Sequence, residues 1–274
     1  MIIDGRKMAE EIKTSLKKEV ETFGKKIRLA VVFVGDDPIS KKFIEQKKKL
    51  AKDIGVDVRV YNFPLIISTN ELRKKISEVV HLKQNSGVII QLPLPKQIKT
   101  QYILNAIPLE KDVDVLSARA FGDFSVGKEK VLPPIVGAVK KILITEVALP
   151  KKYAVIVGAG RLVGRPLAIW FLNQGATISV LNENTKDISD FAKKADILIS
   201  GVGKPGLVND KMVKKGAVVI DAGTSESKGK LVGDVDPKAA KKASLFTPVP
   251  GGVGPLVVAM VFQNLISLAK LKKK

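Results

Sequence analysis

Phe43 and Lys47 stand four residues apart in a stretch, 39–53, whose apolar spacing predicts a helix, so both lie on one face. An aromatic ring beside a lysine can stack on a flat ligand ring and present an amine to it. The plain alternative is a solvent-facing lysine. A third polar group, Gln91, closes the apolar run Gly87-Val88-Ile89-Ile90, which reads as a strand. In open α/β sheets, ligands bind at the carboxyl ends of strands. Lys111-Asp112-Val113-Asp114 then adds two acids. The chain has no cysteine and one histidine, His81, which excludes disulfides, thiolate-bound zinc and a three-histidine metal site. No metal site is assigned. Chemistry has to come from lysine, carboxylates, amides, hydroxyls and a cofactor.

A second constellation is made of glycine. The predicted strand Tyr153–Val157 runs into Gly158-Ala159-Gly160-Arg161-Leu162-Val163-Gly164-Arg165-Pro166, and a predicted helix follows. Strand, glycine turn and helix in that order are the context of a dinucleotide fingerprint, although this spacing is one residue longer than the usual one. Glycines let the backbone approach a pyrophosphate, and the helix start offers N–H groups to it. The plain alternative is a turn that serves packing alone. Glu183 follows the next predicted strand, Thr177–Leu181, about 20 residues beyond the glycines, where an acid can accept from a ribose 2′-hydroxyl and repel a 2′-phosphate. That favours NAD locally; a loop glutamate with no role is the alternative. Arg161 and Arg165 are placed to pair with a phosphate instead.

The elements that must position these groups alternate helix and strand. Helices are expected over 4–20, 39–53, 70–82, 137–145, 162–173 and 255–271, and strands over 27–34, 56–63, 87–91, 153–157, 177–181, 196–200 and 217–221. The run Ile27–Val34 is nearly all apolar, as in a strand buried on both faces. The segment 107–134, rich in Pro, Gly and Asp, reads as an irregular loop and interdomain connection. Regular β-α-β alternation implies an α/β fold of two domains, each a mostly parallel sheet flanked by helices, with the C-terminal one Rossmann-like. The expected limits are 1–144 for the catalytic domain, with the last helix, 254–274, packing back on it, and 145–253 for the dinucleotide domain.

The net charge is +20, carried by lysine pairs such as Lys17-Lys18, Lys74-Lys75 and Lys241-Lys242 spread along the chain. Nucleic-acid binding needs basic residues gathered on one face. Scattered lysines without interleaved aromatics read instead as a solvated surface whose field attracts anions such as dinucleotides. A basic nucleic-acid-binding protein on a Rossmann-like scaffold is the distant alternative, and no nucleic-acid partner is expected. No run reaches the ~18 consecutive apolar residues of a membrane span, and the N-terminus lacks the order of a secretory signal. A cytoplasmic protein without a membrane partner is expected.

Together these segments resemble the bifunctional methylenetetrahydrofolate dehydrogenase/cyclohydrolase family over nearly the whole chain. The resemblance runs through Asp4-Gly5-Arg6, Val34-Gly35-Asp36, the GVIIQLPLP stretch from Gly87, the KDVD stretch from Lys111 and Val163-Gly164-Arg165-Pro166. It continues through the segment from Gly216 to Gly223 and Val232-Gly233-Asp234-Val235. Its most specific piece is Thr247-Pro248-Val249-Pro250-Gly251-Gly252-Val253-Gly254-Pro255, a loop suited to close approach of a ligand. The resemblance implies oxidation of 5,10-methylene-tetrahydrofolate to the methenyl form with NAD(P), then hydrolysis to 10-formyl-tetrahydrofolate, in a cleft between the domains of a homodimer. It implies that Lys47 is the key lysine of the hydrolytic step, that Gln91 bonds and tunes it, and that Asp114 accepts from the amino-pterin head. Phe43, Pro250, Gly251 and Gly252 then bind substrate. Gly158, Ala159, Gly160, Arg161, Val163, Gly164 and Glu183 bind the cofactor.

The chain departs from the family pattern at several points. Phe43 stands where tyrosine is usual, which keeps stacking and loses a hydroxyl, so a dehydrogenase with little cyclohydrolase activity is the alternative reading. Val115 replaces the glycine after the loop acids. Leu132-Pro133-Pro134-Ile135 replaces Pro-x-Thr-Pro, and Leu256-Val257 replaces Met-Thr. Gly158-Ala159-Gly160 replaces the Gly-Arg-Ser of NADP-dependent members, and Glu183 replaces a frequent serine. NADP is the expected cofactor by family precedent, with NAD close behind. Of the remaining candidates, His81 is expected at a surface or interface, and Asp221 to cap a turn. Asp112 is expected to bond its own loop, and Ser40 to cap a helix or bond its loop.

Overall fold

The computed structural model describes residues 1–143, 149–227 and 229–272. In chain order the first half runs α1 (Gly5–Glu21), β1 (Arg28–Val34), α2 (Pro38–Ile54), β2 (Asp57–Phe63), α3 (Thr69–His81), β3 (Gly87–Ile90), α4 (Thr100–Leu104) and α5 (Ala118–Ser125). The second half runs α6 (Pro134–Leu143), β4 (Tyr153–Val157), α7 (Gly164–Asn173), β5 (Thr177–Leu181), α8 (Ile188–Ala192), β6 (Ile197–Ser200), β7 (Val218–Asp221), β8 (Ser225–Ser227), β9 (Lys230–Val232), β10 (Leu245–Thr247) and α9 (Val253–Leu271). The expected helix end at Thr145 and the expected domain limit at 144/145 lie outside the described residues. Two compact units emerge, one of residues 10–134 with 258–274, the other of residues 1–9 with 135–257.

The unit of residues 10–134 is built on a parallel sheet ordered β2-β1-β3. Side chains alternate across a strand, so the apolar run Leu29–Val34 of β1 buries both faces. Leu29, Val31 and Phe33 pack with Leu16 of α1, Ile44 and Ile54 of α2, and Phe262, Leu265 and Ile266 of α9. Ala30, Val32 and Val34 pack on the other side with Leu72, Ile76 and Val80 of α3 and Ile103 and Leu104 of α4. Helix α9 is long and apolar enough to cross a membrane by length and composition, but two thirds of it is buried, as expected of a core helix.

The helix carrying Lys47 is delimited by local chemistry. Asp37, in an extended conformation, accepts from the Ser40 N–H, Pro38 fills the first turn, and Gly55 ends the helix with φ 78°. The expected capping role of Ser40 is therefore corrected: Asp37 is the cap, and Ser40 donates to it at 2.7 Å. Helix α3 opens on a capping box between Ser68 and Glu71.

The expectation of an irregular segment over 107–134 is also corrected. It contains a 3-10 turn, Leu109–Lys111, and α5, whose start is capped by Ser117 and whose Ala120 and Phe124 are buried one turn apart. Too short for a clear period, α5 is held by burial and by its cap. The short elements α4, β8, β9 and β10 were not expected either; strands of three residues carry no readable alternation.

The other unit holds a five-stranded sheet ordered β10-β7-β6-β4-β5, with every neighbour parallel, and an antiparallel β8-β9 pair. The chain start joins this unit beside β10: Ile3 N–H donates to Phe246 O, and Phe246 N–H to Met1 O, both at 2.9 Å. Val155, Val157, Leu198, Val219 and Phe246 supply one face of its core. In both sheets the strand order reverses beside the first strand, between β1 and β3 and between β4 and β6. Such reversals are where α/β sheets bind ligands.

Candidate active site and dinucleotide turn

At the reversal in the three-stranded sheet, α2 and the end of β3 bring two buried polar groups together. Lys47 Nζ donates to Gln91 Oε1 at 3.0 Å. The register that places Gln91 is set by its own N–H, which bonds Val32 O at 2.9 Å, and its side-chain amide donates to Leu92 O at 3.1 Å. Gln91 therefore presents its oxygen to the ammonium. Ser40, Phe43 and Lys47 follow one face of α2; Ser40 and Lys47 are buried and Phe43 is half-buried.

Asp114 is half-buried and joins this group electrostatically. Burial pushes the Lys47 ammonium below the usual lysine range, and the Asp114 carboxylate partly opposes the shift. Burial raises the Asp114 carboxyl to about 6; attraction to Lys47 opposes that shift and repulsion from Asp112 adds to it. Sequence-expected Lys47, Gln91 and Asp114 are thus assembled from three separate segments of one unit. Asp112 serves its loop, as expected: its carboxylate accepts from the Leu116 and Ser117 N–H groups at 3.1 and 2.8 Å. Lys111 Nζ bonds the carbonyls of Val80 and Leu82 at the end of α3, anchoring the other side of the acid-bearing segment.

Val115, the departure after the acids, has φ 58°, a left-handed conformation that β-branched residues avoid. Its side chain is buried. The glycine usual in the family would adopt this backbone freely, so the chain accepts local strain beside Asp114 while burying an apolar side chain.

At the reversal in the five-stranded sheet lies the glycine turn. Gly158 has φ 107°, and a Cβ there would sit 2.8 Å from Gly201 O. A Cβ on Gly164 would sit 1.8 Å from Gly158 O, so these two glycines are required by the protein's own packing. Gly160 differs: a Cβ there would meet nothing within 4 Å, and the residue is exposed. Val163 packs under Gly201 and no side chain caps the first turn of α7. The first turn of α7 is closed by backbone instead, Arg165 N–H donating to Gly160 O at 3.0 Å, and the bare, open Gly160 at its entry leaves room for a phosphate group of a dinucleotide. Ala159 and Arg161 are half-buried in the turn, and Arg165 Nε donates back to Ala159 O at 3.1 Å. Glu183 is exposed past the end of β5, beside Asn182 and Asn184.

The loop after β10 belongs to this unit as well. Gly252 N–H donates to Pro248 O at 2.8 Å, and the Val249–Pro250 peptide is cis. A Cβ on Gly5 would sit 1.8 Å from Gly252 O, and Gly251 has φ 104° beside Arg6. A Cβ on Gly252 would sit 2.5 Å from Pro248 O, so the turn that follows Pro250 requires glycine at 252 by packing and favours it at 251 by its backbone. His81 is exposed, with its ring Nδ1 2.6 Å from Ser77 O. Asp221 caps its turn as expected, accepting from the Gly223, Asp234 and Val235 N–H groups. Asp234, quoted in the sequence only as part of a resembling segment, was missed as an organiser of this end of the sheet. The one signal was the glycine that stands near each acid, at 223 and 233.

Comparisons with known proteins bear on both units. Residues 3–114 match the model of the tetrahydrofolate dehydrogenase/cyclohydrolase catalytic domain, and residues 134–273 match the NAD(P)-binding domain of the same family. The bifunctional protein FolD of a Nitratiruptor species is 42% identical over 280 residues, covering 100% of this chain and 99% of that protein. The crystal structure of the bifunctional FolD dehydrogenase/cyclohydrolase of Campylobacter jejuni superposes with TM-score 0.94 at 38% identity, covering 99% of both chains. That of Trypanosoma brucei FolD, complexed with NADP and an inhibitor, gives 0.95 at 31% identity, covering 100% of this chain and 98% of that one. With an assembled lysine–glutamine–aspartate group in one unit and an open glycine turn in the other, and with both family domains matched, this chain belongs to the tetrahydrofolate dehydrogenase/cyclohydrolase family.

Proposed function

We infer that this protein oxidises 5,10-methylene-tetrahydrofolate with a nicotinamide dinucleotide and hydrolyses the methenyl product to 10-formyl-tetrahydrofolate. The observation that carries this reading is the buried Lys47–Gln91 pair at 3.0 Å beside Asp114, in a chain of this family. Gln91 holds the Lys47 amine in place, and burial favours its neutral form, which can take a proton from water during hydrolysis. Asp114, with its carboxyl at about 6, is mostly ionised at neutral pH and accepts from the donor edge of the 2-aminopterin head. Phe43 stacks on the flat ring. Pro250, Gly251 and Gly252 contribute backbone to substrate binding.

The dinucleotide, when bound, accepts hydride from the methylene carbon. The chain would hold its pyrophosphate at Gly160 and the first turn of α7, with Ala159, Arg161 and Val163 shaping the turn and Gly158 and Gly164 fixing its backbone. We propose NADP as the preferred form, supported by the NADP complex of the T. brucei relative. Exposed Glu183 is the residue that admits NAD. We propose a homodimer as well: β2 is the open edge of its sheet, and the exposed Leu65 and Ile66 follow it.

The test is a spectrophotometric turnover assay with methylene-tetrahydrofolate, comparing NADP and NAD, followed by methenyl decay. Turnover with decay above the uncatalysed rate supports the bifunctional reading, and no turnover with either cofactor overturns it. A second reading, a dehydrogenase with little cyclohydrolase activity, is favoured by Phe43 in place of tyrosine; turnover without accelerated decay would select it. Sedimentation checks the dimer, and a monomer at assay concentration would refute it.

A further inference from the structure

Two carboxylates that the folate chemistry does not use tie together the carboxyl ends of β6, β7 and β10. Asp234 is fully buried. Its Oδ2 accepts from Ser200 Oγ at 2.8 Å, Val202 N–H at 2.7 Å and Gly203 N–H at 3.2 Å, and its Oδ1 accepts from Lys204 N–H at 2.7 Å. Successive backbone N–H groups of this kind form a nest for an anion. Here the protein fills the nest with its own carboxylate, so the backbone over 201–204 is held in one conformation.

Asp234 is itself held. Asp221 Oδ1 accepts its N–H at 3.1 Å, Asp221 Oδ2 accepts the Val235 N–H at 2.9 Å, and Thr247 Oγ1 accepts the Asp221 N–H at 2.8 Å. Space is reserved for both acids by glycine. A Cβ on Gly223 would lie 2.1 Å from Asp234 Cγ, and one on Gly233 would lie 2.0 Å from Asp221 Oδ2. The held segment abuts the dinucleotide turn: a Cβ on Gly201 would meet Val163 Cγ1 at 2.4 Å, and Gly158 packs on Gly201 O. The segment therefore lines the strand-order reversal between β4 and β6, packed against Gly158 and Val163 of the turn.

We propose that Asp234 is a positioning residue for the dinucleotide: by fixing residues 201–204 against the turn 158–163, it sets cofactor affinity without touching the cofactor. This rests on the dinucleotide reading above. A merely structural role would weaken both activities together, whereas a positioning role weakens only the one that uses a dinucleotide.

The experiment is Asp234→Asn in the full chain, with Ser200→Ala as the milder variant. Asparagine has one acceptor oxygen where the carboxylate has two, and its amide would face the Lys204 N–H. NADPH binding, read by fluorescence titration, is expected to weaken about tenfold or more, with the dinucleotide KM rising in parallel. Hydrolysis of methenyl-tetrahydrofolate, which uses no dinucleotide, should stay within about twofold. Should Asp234→Asn fail to fold, Ser200→Ala carries the test, with the same split at several-fold. Unchanged NADPH affinity, or equal loss of both activities, would overturn the proposal. A wild-type chain that binds neither NADPH nor NADH would overturn the dinucleotide reading itself, and this proposal with it.

Discussion

In the three-stranded sheet, the reversal of strand order is occupied by side chains: Lys47, Gln91 and Asp114 are ionisable or polar groups partly or wholly withdrawn from solvent. In the five-stranded sheet, the reversal is occupied by backbone: Gly158, Gly160, Gly164 and the 201–204 segment, with the buried carboxylates Asp221 and Asp234 turned inward to hold that backbone. The difference follows from what each site must do. Moving a proton requires a group whose pKa burial can shift. Holding a phosphate requires N–H groups and room, which backbone supplies without any side chain. The first site carries its cost as desolvated charge, the second as two glycine positions, Gly158 and Gly164, that admit no other residue.

The comparison is broken most sharply at Lys47. Lys47→Ala should lower methenyl hydrolysis by about 10²–10⁴-fold while NADPH binding stays unchanged; full hydrolysis by a folded variant would refute the assignment. Next is the pair Gly164→Ala and Gly160→Ala. The first forces a methyl 1.8 Å from Gly158 O and should destabilise the protein by about 3 kcal/mol or more in urea unfolding. The second meets no atom, so stability should hold within about 0.5 kcal/mol while NADPH affinity falls. Equal stability losses in the two variants would show that both glycines serve packing alone.

A smaller effect sharpens the side-chain half. The Asp114 carboxyl titrates at about 6 in the folded protein against an ordinary value of 3.8, so the folded chain binds the proton more readily. Stability from this group is full below the unfolded value and is lost as pH rises through about 6. Asp114→Asn, which never ionises, should therefore gain about 1–2 kcal/mol over the wild type at pH 7, and less at pH 4.5, while losing folate affinity. A pH-independent difference in melting temperature would contradict the buried-charge account. The smallest expected effect is at the rim of the backbone site: Glu183→Ser should raise the NADP-to-NAD ratio of kcat/KM several-fold, as removing an anion relieves repulsion of a 2′-phosphate. An unchanged ratio would make Glu183 a bystander.

The same contrast explains what could be read in advance. Gly158, Gly160 and Gly164 are close in the chain, and their strand and helix flanks are periodic, so the dinucleotide turn was legible from sequence. So were β1, by its nearly continuous apolar run, and α2, by Pro38 and Gly55 at its ends. Lys47, Gln91 and Asp114 are separated in the chain, and their residue types alone left a solvent-facing lysine open; only the family resemblance joined them. Helix α5 was missed because its support is tertiary, through the burial of Ala120 and Phe124.

Residue type and spacing by themselves thus determined the alternation of elements, the two parallel sheets and the glycine turn, because turns, caps and apolar periods are local properties of the chain. Tertiary structure alone decided that Gln91 presents its oxygen to Lys47, that Gly160 is open while Gly164 is locked, that Val115 takes a left-handed backbone, and that Asp234 gathers the 201–204 amides. Each of these depends on which atoms meet across long sequence separations, and the energy of a buried charge or amide is set by those neighbours rather than by the residue that bears it.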